Sequence, residues 1–304
     1  MTCPVCEPPA MGRYAASGDS GNGGARSDAC GRAGEAAALY RDIKAVTGVG
    51  TVNLFWRRLA SEPALLAWAW GTVRPPFAAG EVAHAVTALD EALDLGTPAP
   101  WAPEALAAVG VGEAALAEVR RIVAAYNRGN AGNLFALTAL LAFLDRNEAP
   151  SPRTEPPGPT PAQPEDLPPI TAMAAMPATT AAHVRTLSAP LSPPGQALIP
   201  SLYRHLAPWP GVLALAAVTV LPLEESGRTR RLADSAIAGA QAAAADFAAL
   251  LRPPAATPLP SADTRARLAA LAAAYTRGPI AIMTVLGRLL ARALPAPAQT
   301  GPPV

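Results

Sequence analysis

The sequence predicts an all-α fold in which two homologous helical repeats form an intramolecular pseudo-dimer. Three observations predict it. One stretch is present twice: residues 52–80 and 199–227 align without a gap over 29 positions at an offset of 147. Eleven pairs are identical: Arg57 with Arg204, Leu59 with Leu206, Ala60 with Ala207, Pro63 with Pro210, Leu66 with Leu213, Ala67 with Ala214, Ala69 with Ala216, Thr72 with Thr219, Val73 with Val220, Pro75 with Pro222 and Gly80 with Gly227. A period this long is not that of a solenoid. Second, apolar residues recur at helical spacing, no segment alternates convincingly with period two, and β-branched residues are sparse. Third, residues 150–169 carry nine prolines. They read as an extended linker placed where the offset needs a boundary.

The elements follow in order. Residues 1–32 contain Pro8-Pro9, Gly18, Gly21 and Gly23-Gly24, too little apolar material to order themselves, and read as a disordered leader. Cys3-x-x-Cys6 in this leader has zinc or redox spacing, but a structural zinc site needs four ligands, and only Cys30 and a distant histidine could add to the pair. The first repeat spans 33–149. Leu39, Ile43 and Val46 give a first helix one face, and Gly48 and Gly50 end it. Val52, Phe55, Trp56 and Leu59 form the next stripe. Ser61-Glu62-Pro63 restarts a helix, since proline is tolerated in a first turn, and Pro75-Pro76 is expected to stop it. Residues 81–95 form a third amphipathic helix, a short helix follows the turn-rich 96–103, and residues 112–144 hold a long pattern. The linker 150–169 leads to the second repeat, 170–294. Residues 170–187, 228–251 and 262–294 are expected to be helical, and 295–304 is a disordered tail.

The long pattern of 112–144 is interrupted by Tyr126-Asn127-Arg128-Gly129-Asn130-Ala131-Gly132-Asn133. Asparagine and glycine weaken a helix interior. One reading is a helix end and restart, with Asn130 or Asn133 as the cap. The other is a polar site, because three asparagines at spacing three approach one face. The second half offers a comparison: Ala274-Tyr275-Thr276-Arg277-Gly278-Pro279 echoes Ala125 to Asn130 at offset 149, and Thr276, Pro279 and Ile282 stand opposite the three asparagines. Packing positions should recur in both halves, whereas an asymmetric site need not. The cleft between the halves, with Asn130 on one side and Ser201 on the other, is therefore the expected pocket.

Glu35, Tyr40-Arg41-Asp42-Ile43-Lys44, Arg57-x-Leu59-Ala60-x-x-Pro63 and Tyr126-Asn127-x-Gly129-Asn130, in this order, resemble the group I 2-haloacid dehalogenases. Leu206-Ala207-x-Trp209-Pro210-x-Val212-Leu213 extends the resemblance into the second half. It implies an all-α, two-repeat enzyme that hydrolyses the carbon–halogen bond of small 2-haloalkanoic acids. An aspartate and an asparagine would activate water, which attacks the carbon directly, with no cofactor. Carried over by position, the asparagine is Asn130, the serine before the aspartate is Ser201, and the aspartate falls on Leu202. The aromatic pair of the family pocket falls on Thr51 and Leu54. Leucine cannot accept a proton, so His205, one turn beyond, is the substitute base to consider. Asn130 and His205 are thus the catalytic candidates, and Thr51, Leu54, Asn133, Ser201 and Leu202 the substrate-binding ones. The alternative is a non-dehalogenating relative that binds a small carboxylate or apolar ligand in the same cleft.

The formal net charge of +1 gives no reason to expect nucleic acid as a partner. Apolar runs such as residues 212–221 are about ten residues long, short of the roughly 18 that span a bilayer, so no membrane partner is expected. Without a leader pattern for secretion, a cytoplasmic protein is the expectation, with a homodimer as one candidate assembly. No His/Asp/Glu cluster has metal-ligand spacing, so no metal is expected, and the anticipated partner is a small-molecule substrate or ligand.

Overall fold

The computed structural model describes residues 24–96, 98–146, 166–191, 198–255 and 257–296. The pair Cys3 and Cys6 and most of the expected leader, linker and tail lie outside the described residues. The fold is all-α, with no strand among the described residues. Its helices are α1 (Gly24–Thr47), α2 (Leu54–Leu59), α3 (Pro63–Ala78), α4 (Glu81–Ala92), α5 (Pro103–Ala108), α6 (Glu113–Asp145), α7 (Ala178–Ser188), α8 (Ser201–His205), α9 (Pro210–Glu225), α10 (Arg228–Leu250), α11 (Ala262–Tyr275) and α12 (Ala281–Ala293). Helices α8, α9 and α10 begin 147 positions after α2, α3 and α4. Gly80 and Gly227, at the starts of α4 and α10, both hold positive φ, +80° and +68°, which explains glycine at both sites.

Helix α6 is the axis of the molecule. It packs on α10, α12, α11, α4, α3 and α8. Its residues Leu134, Ala136, Leu137, Ala139 and Leu140 are fully buried, in one continuous apolar cluster that includes residues of both halves. Polar bonds also tie the halves. The Trp101 backbone N–H donates to Ala293 O at 2.7 Å, and its indole donates to Thr219 Oγ1 at 3.0 Å. Asp90 of α4 pairs with the buried Arg288 of α12. By length and composition alone residues 262–293 could cross a membrane. In the fold, the apolar face of α12 packs on α6 and α10.

Several elements depart from the sequence expectation. Helix α1 starts at Gly24, inside the expected disordered leader 1–32. Pro75-Pro76 does not stop α3, which runs on to Ala78. Pro76 has no N–H for the Thr72 carbonyl, and Thr72 O accepts instead from the Arg252 backbone N–H, 3.2 Å away. The stretch 170–187 is not one helix. A single 3-10 turn, Met173–Ala175, precedes α7, with Pro177 at the α7 N-cap. The second long pattern is broken. Pro279 withholds a donor and a π-type turn, Thr276–Ile280, separates α11 from α12, with Gly278 outside helical geometry (φ −120°, ψ −113°).

Helix α6, by contrast, passes unbroken through the Asn/Gly motif, so neither Asn130 nor Asn133 is a cap. One bond within the helix and one tertiary bond hold Asn133 there. Asn133 Nδ2 donates to Gly129 O at 2.6 Å, and Asn133 Oδ1 accepts from the Trp56 indole of α2, also at 2.6 Å.

Candidate functional site

A pocket lies where α1, α2, α6, α8 and the α11–α12 junction meet, with about 760 Å³ of space when its solvent-open mouth is included. Its apolar wall includes Ile43, Val49, Val52, Leu198 and Met283. The polar groups are Thr47, Thr51, Asn53, Tyr126, Asn130, Asn133, Ser201 and Tyr275. Among the described residues no Asp, Glu, Lys, Arg or His lines it. Nor does any group of three His, Cys, Asp or Glu there have the arrangement to hold a metal ion.

Six of the seven expected site residues are in this wall: Thr51, Leu54, Asn130, Asn133, Ser201 and Leu202. Helix geometry explains which motif residues reach it. At about 100° per residue, Tyr126, Asn130 and Asn133 fall within about 60° of one another. Asn127 stands about 100° from Tyr126, and its Oδ1 is buried without a hydrogen-bond partner. The sequence grouping of three asparagines therefore included one that does not face the pocket and left out Tyr126. The i, i+4 relation of Tyr126 to Asn130 was the signal available for it.

The two pocket asparagines differ in what the protein leaves of them. Asn133 is bonded at both ends of its amide, to Trp56 and to Gly129. Asn130 Oδ1 accepts one long bond, 3.4 Å, from Asn53 Nδ2. Asn53 in turn caps α2, its Oδ1 accepting from the Phe55 N–H at 3.0 Å. The Asn130 amide nitrogen has no protein partner among the described residues, so it can donate to a ligand. Asn53 is a further pocket residue that the sequence reading did not single out. Its signal was its position immediately before the Leu54–Leu59 helix, where asparagine is a preferred cap.

His205 is not in the wall. It stands behind Tyr126, 1% exposed, with the two rings edge to face at a centroid distance of 5.8 Å. Its Nδ1 lies 3.3 Å from the Tyr126 hydroxyl. Its Nε2 is in hydrogen-bond contact with the Pro168 carbonyl. A carbonyl only accepts, so Nε2 carries the proton and Nδ1 accepts from the tyrosine O–H. Burial lowers the His205 pKa, against the raising influence of the Pro168 carbonyl and Glu118; the ring is neutral at pH 7. Burial pushes the Tyr126 phenol up to about 12, offset in part by hydrogen bonding from Thr51, the charge of Arg57 and hydrogen bonding from Ser201. Arg57 also donates to Ser201 Oγ at 2.9 Å. Leu202 is fully buried among apolar neighbours while it borders the pocket.

Together the fold and the pocket define an all-α protein with an asparagine-bearing, largely apolar cleft beside its central helix α6. No protein-family model matches the chain, and no curated protein matches it. Solved structures do match. A D-2-haloacid dehalogenase mutant aligns with a TM-score of 0.70 at 18% identity, over 86% of this chain and 92% of that one. A D-2-haloacid dehalogenase mutant in complex with D-2-CPA aligns with a TM-score of 0.64 at 17% identity, over 86% and 92%. A D-2-haloacid dehalogenase complex with L-LA gives 0.62 at 15%, over 85% and 91%. The chain has the fold of the D-2-haloacid dehalogenases.

Proposed function

We propose that this chain binds small 2-substituted alkanoic acids in the α1–α2–α6–α8 pocket and hydrolyses the carbon–halogen bond of 2-haloalkanoic acids by direct attack of water. The observation that carries this reading is Asn130. It lines a mainly apolar cavity with its amide nitrogen unpartnered among the described residues, in a fold whose solved examples include a complex with D-2-CPA. An apolar cavity with a few placed polar groups suits a small ligand that has an apolar body and one polar end. The amide can orient the water, and the hydroxyls of Thr51 and Ser201 can rotate away from Tyr126 to donate to the substrate carboxylate, which frees the phenol oxygen. The paired starts of α2 and α8, α3 and α9, and α4 and α10 support reading the chain as two related repeats with this cleft between them.

A second reading is binding without turnover. It is favoured by Leu202, fully buried where the resemblance puts the catalytic aspartate, and by the lack of any carboxylate among the described wall residues. The test combines calorimetric binding of D- and L-2-chloropropionate with a chloride-release assay, on wild type and Asn130→Ala. Release by wild type that is lost in the variant supports hydrolysis. Binding without release supports the second reading, and absence of both sinks the small-acid assignment.

A further inference from the structure

We propose that Tyr126 is the proton-accepting group at the pocket wall and that His205 completes it, so that the pair replaces the missing carboxylate. This rests on the reading that a small haloacid enters the pocket. Three geometric facts lead to it. Tyr126 belongs to the wall, and its hydroxyl interacts with Thr51 and Ser201, which line the same pocket. The hydroxyl hydrogen has a defined acceptor, His205 Nδ1 at 3.3 Å. The opposite ring nitrogen is held by the Pro168 carbonyl, which fixes the tautomer that leaves Nδ1 open.

An oxygen lone pair of water forms the new C–O bond, and the halide leaves with the electron pair of the C–halogen bond. The water proton passes to Tyr126 Oη as the Tyr126 proton passes to His205 Nδ1. The products are the 2-hydroxy acid, the halide and an imidazolium, which returns its proton through Tyr126 when the pocket empties. The tyrosine stays a phenol before and after the step, so its raised pKa does not obstruct the transfer. The neutral state of buried His205 leaves it ready to accept. Tyr126 touches the reacting water, whereas His205 acts through Tyr126 and is a positioning and proton-storing residue.

The test uses the full chain with Tyr126→Phe and His205→Asn. Asparagine retains an acceptor near the Nδ1 position but cannot store the proton, which separates the chemical role from the structural one. With D- and L-2-chloropropionate, the expected result is chloride release by wild type and a loss of about 100-fold or more in each variant, the range of general acid–base effects. The acids should bind all three proteins with similar affinity. Wild-type turnover retained in either variant overturns the proposal. Binding without release by wild type overturns it together with the hydrolytic reading, and absence of binding sinks the small-acid reading beneath both. Histidine-ring nitrogen NMR gives an answer independent of any ligand. The expected spectrum is the Nε2–H tautomer, with an Nδ1 resonance that shifts in Tyr126→Phe. A proton on Nδ1, or no shift, removes the relay.

Discussion

Asn133 of α6 accepts the indole N–H of Trp56 of α2 across 2.6 Å, and both residues are almost wholly buried, 4% and 0% exposed. This bond fixes α2, which begins at the pocket rim, against the central helix. Asn133→Ala strands the Trp56 donor, and Trp56→Phe strands an asparagine oxygen. Each should cost about 1–3 kcal/mol of unfolding free energy, the penalty for a buried polar group left unpaired. In urea titrations the double variant should lose less than the sum of the single losses, as contacting partners do. Full additivity would mean that the bond contributes no coupling.

Asn130 should behave in the opposite way. Its oxygen meets Asn53 at 3.4 Å, too long to contribute much. Asn130→Ala is expected to change stability by less than about 1 kcal/mol. If Asn130 holds the ligand or its water, the variant should bind 2-chloropropionate roughly tenfold more weakly, equivalent to about 1.4 kcal/mol. Calorimetry and thermal melting on the same preparations measure both numbers. A large loss of stability with unchanged affinity would make Asn130 a packing residue.

Much of this was legible in the sequence because helix periodicity and the 147-residue offset are local, countable patterns. The face containing Val52, Phe55, Trp56 and Leu59 is visible in the chain, and so are the paired prolines and glycines. What was not legible depended on partners distant in sequence. The unbroken course of α6 past Gly129 and Gly132 depends on bonds such as Trp56 to Asn133, which propensity cannot see. The placement of His205 behind Tyr126, and not in the wall, follows from how α8 docks on α6 and from the carbonyl of Pro168. The continuation of α3 through Pro76 depends on Arg252, just past the C-terminus of α10, supplying the donor that satisfies Thr72 O.

His205 also predicts a pH dependence. Burial holds its folded pKa below the unfolded value of about 6.5. Between the two values the unfolded chain binds more protons than the folded one, so stability rises with pH in that window. The contribution of neutral His205 is therefore fully present above about pH 6.5 and is lost as pH falls through the folded value. Asp42 acts in a lower window. Burial would raise its pKa, but hydrogen bonds from Arg74 and Trp70 and the Arg74 charge outweigh that and lower it. Its contribution persists until pH falls below about 3.9 and then through the lower folded value. Urea midpoints from pH 8 down to about 4 should fall first in the His205 window, and that first fall should be absent from His205→Asn. An identical profile in the variant would show that another group is responsible.

Leu202→Asp is the most direct probe of the missing base. The side chain is fully buried and borders the pocket, so the substitution removes apolar burial worth about 1.5–3 kcal/mol and adds a carboxyl in a poorly solvated position. Desolvation should raise the pKa of that carboxyl. The folded protein then binds more protons than the unfolded chain above about pH 4, so the penalty should grow as pH rises through that window. Against this loss the variant gains a base that meets the water without an intervening phenol. Chloride release from 2-chloropropionate should rise at least about tenfold over wild type in Leu202→Asp, within the range of a positioned general base. Leu202→Asn, of similar shape but unable to take the proton, should show no gain. A Leu202→Asp variant that folds and binds the acid yet releases no more chloride than wild type would show that position 202 is not oriented toward the reacting water, and the assignment of this pocket to haloacid chemistry would lose its geometric basis.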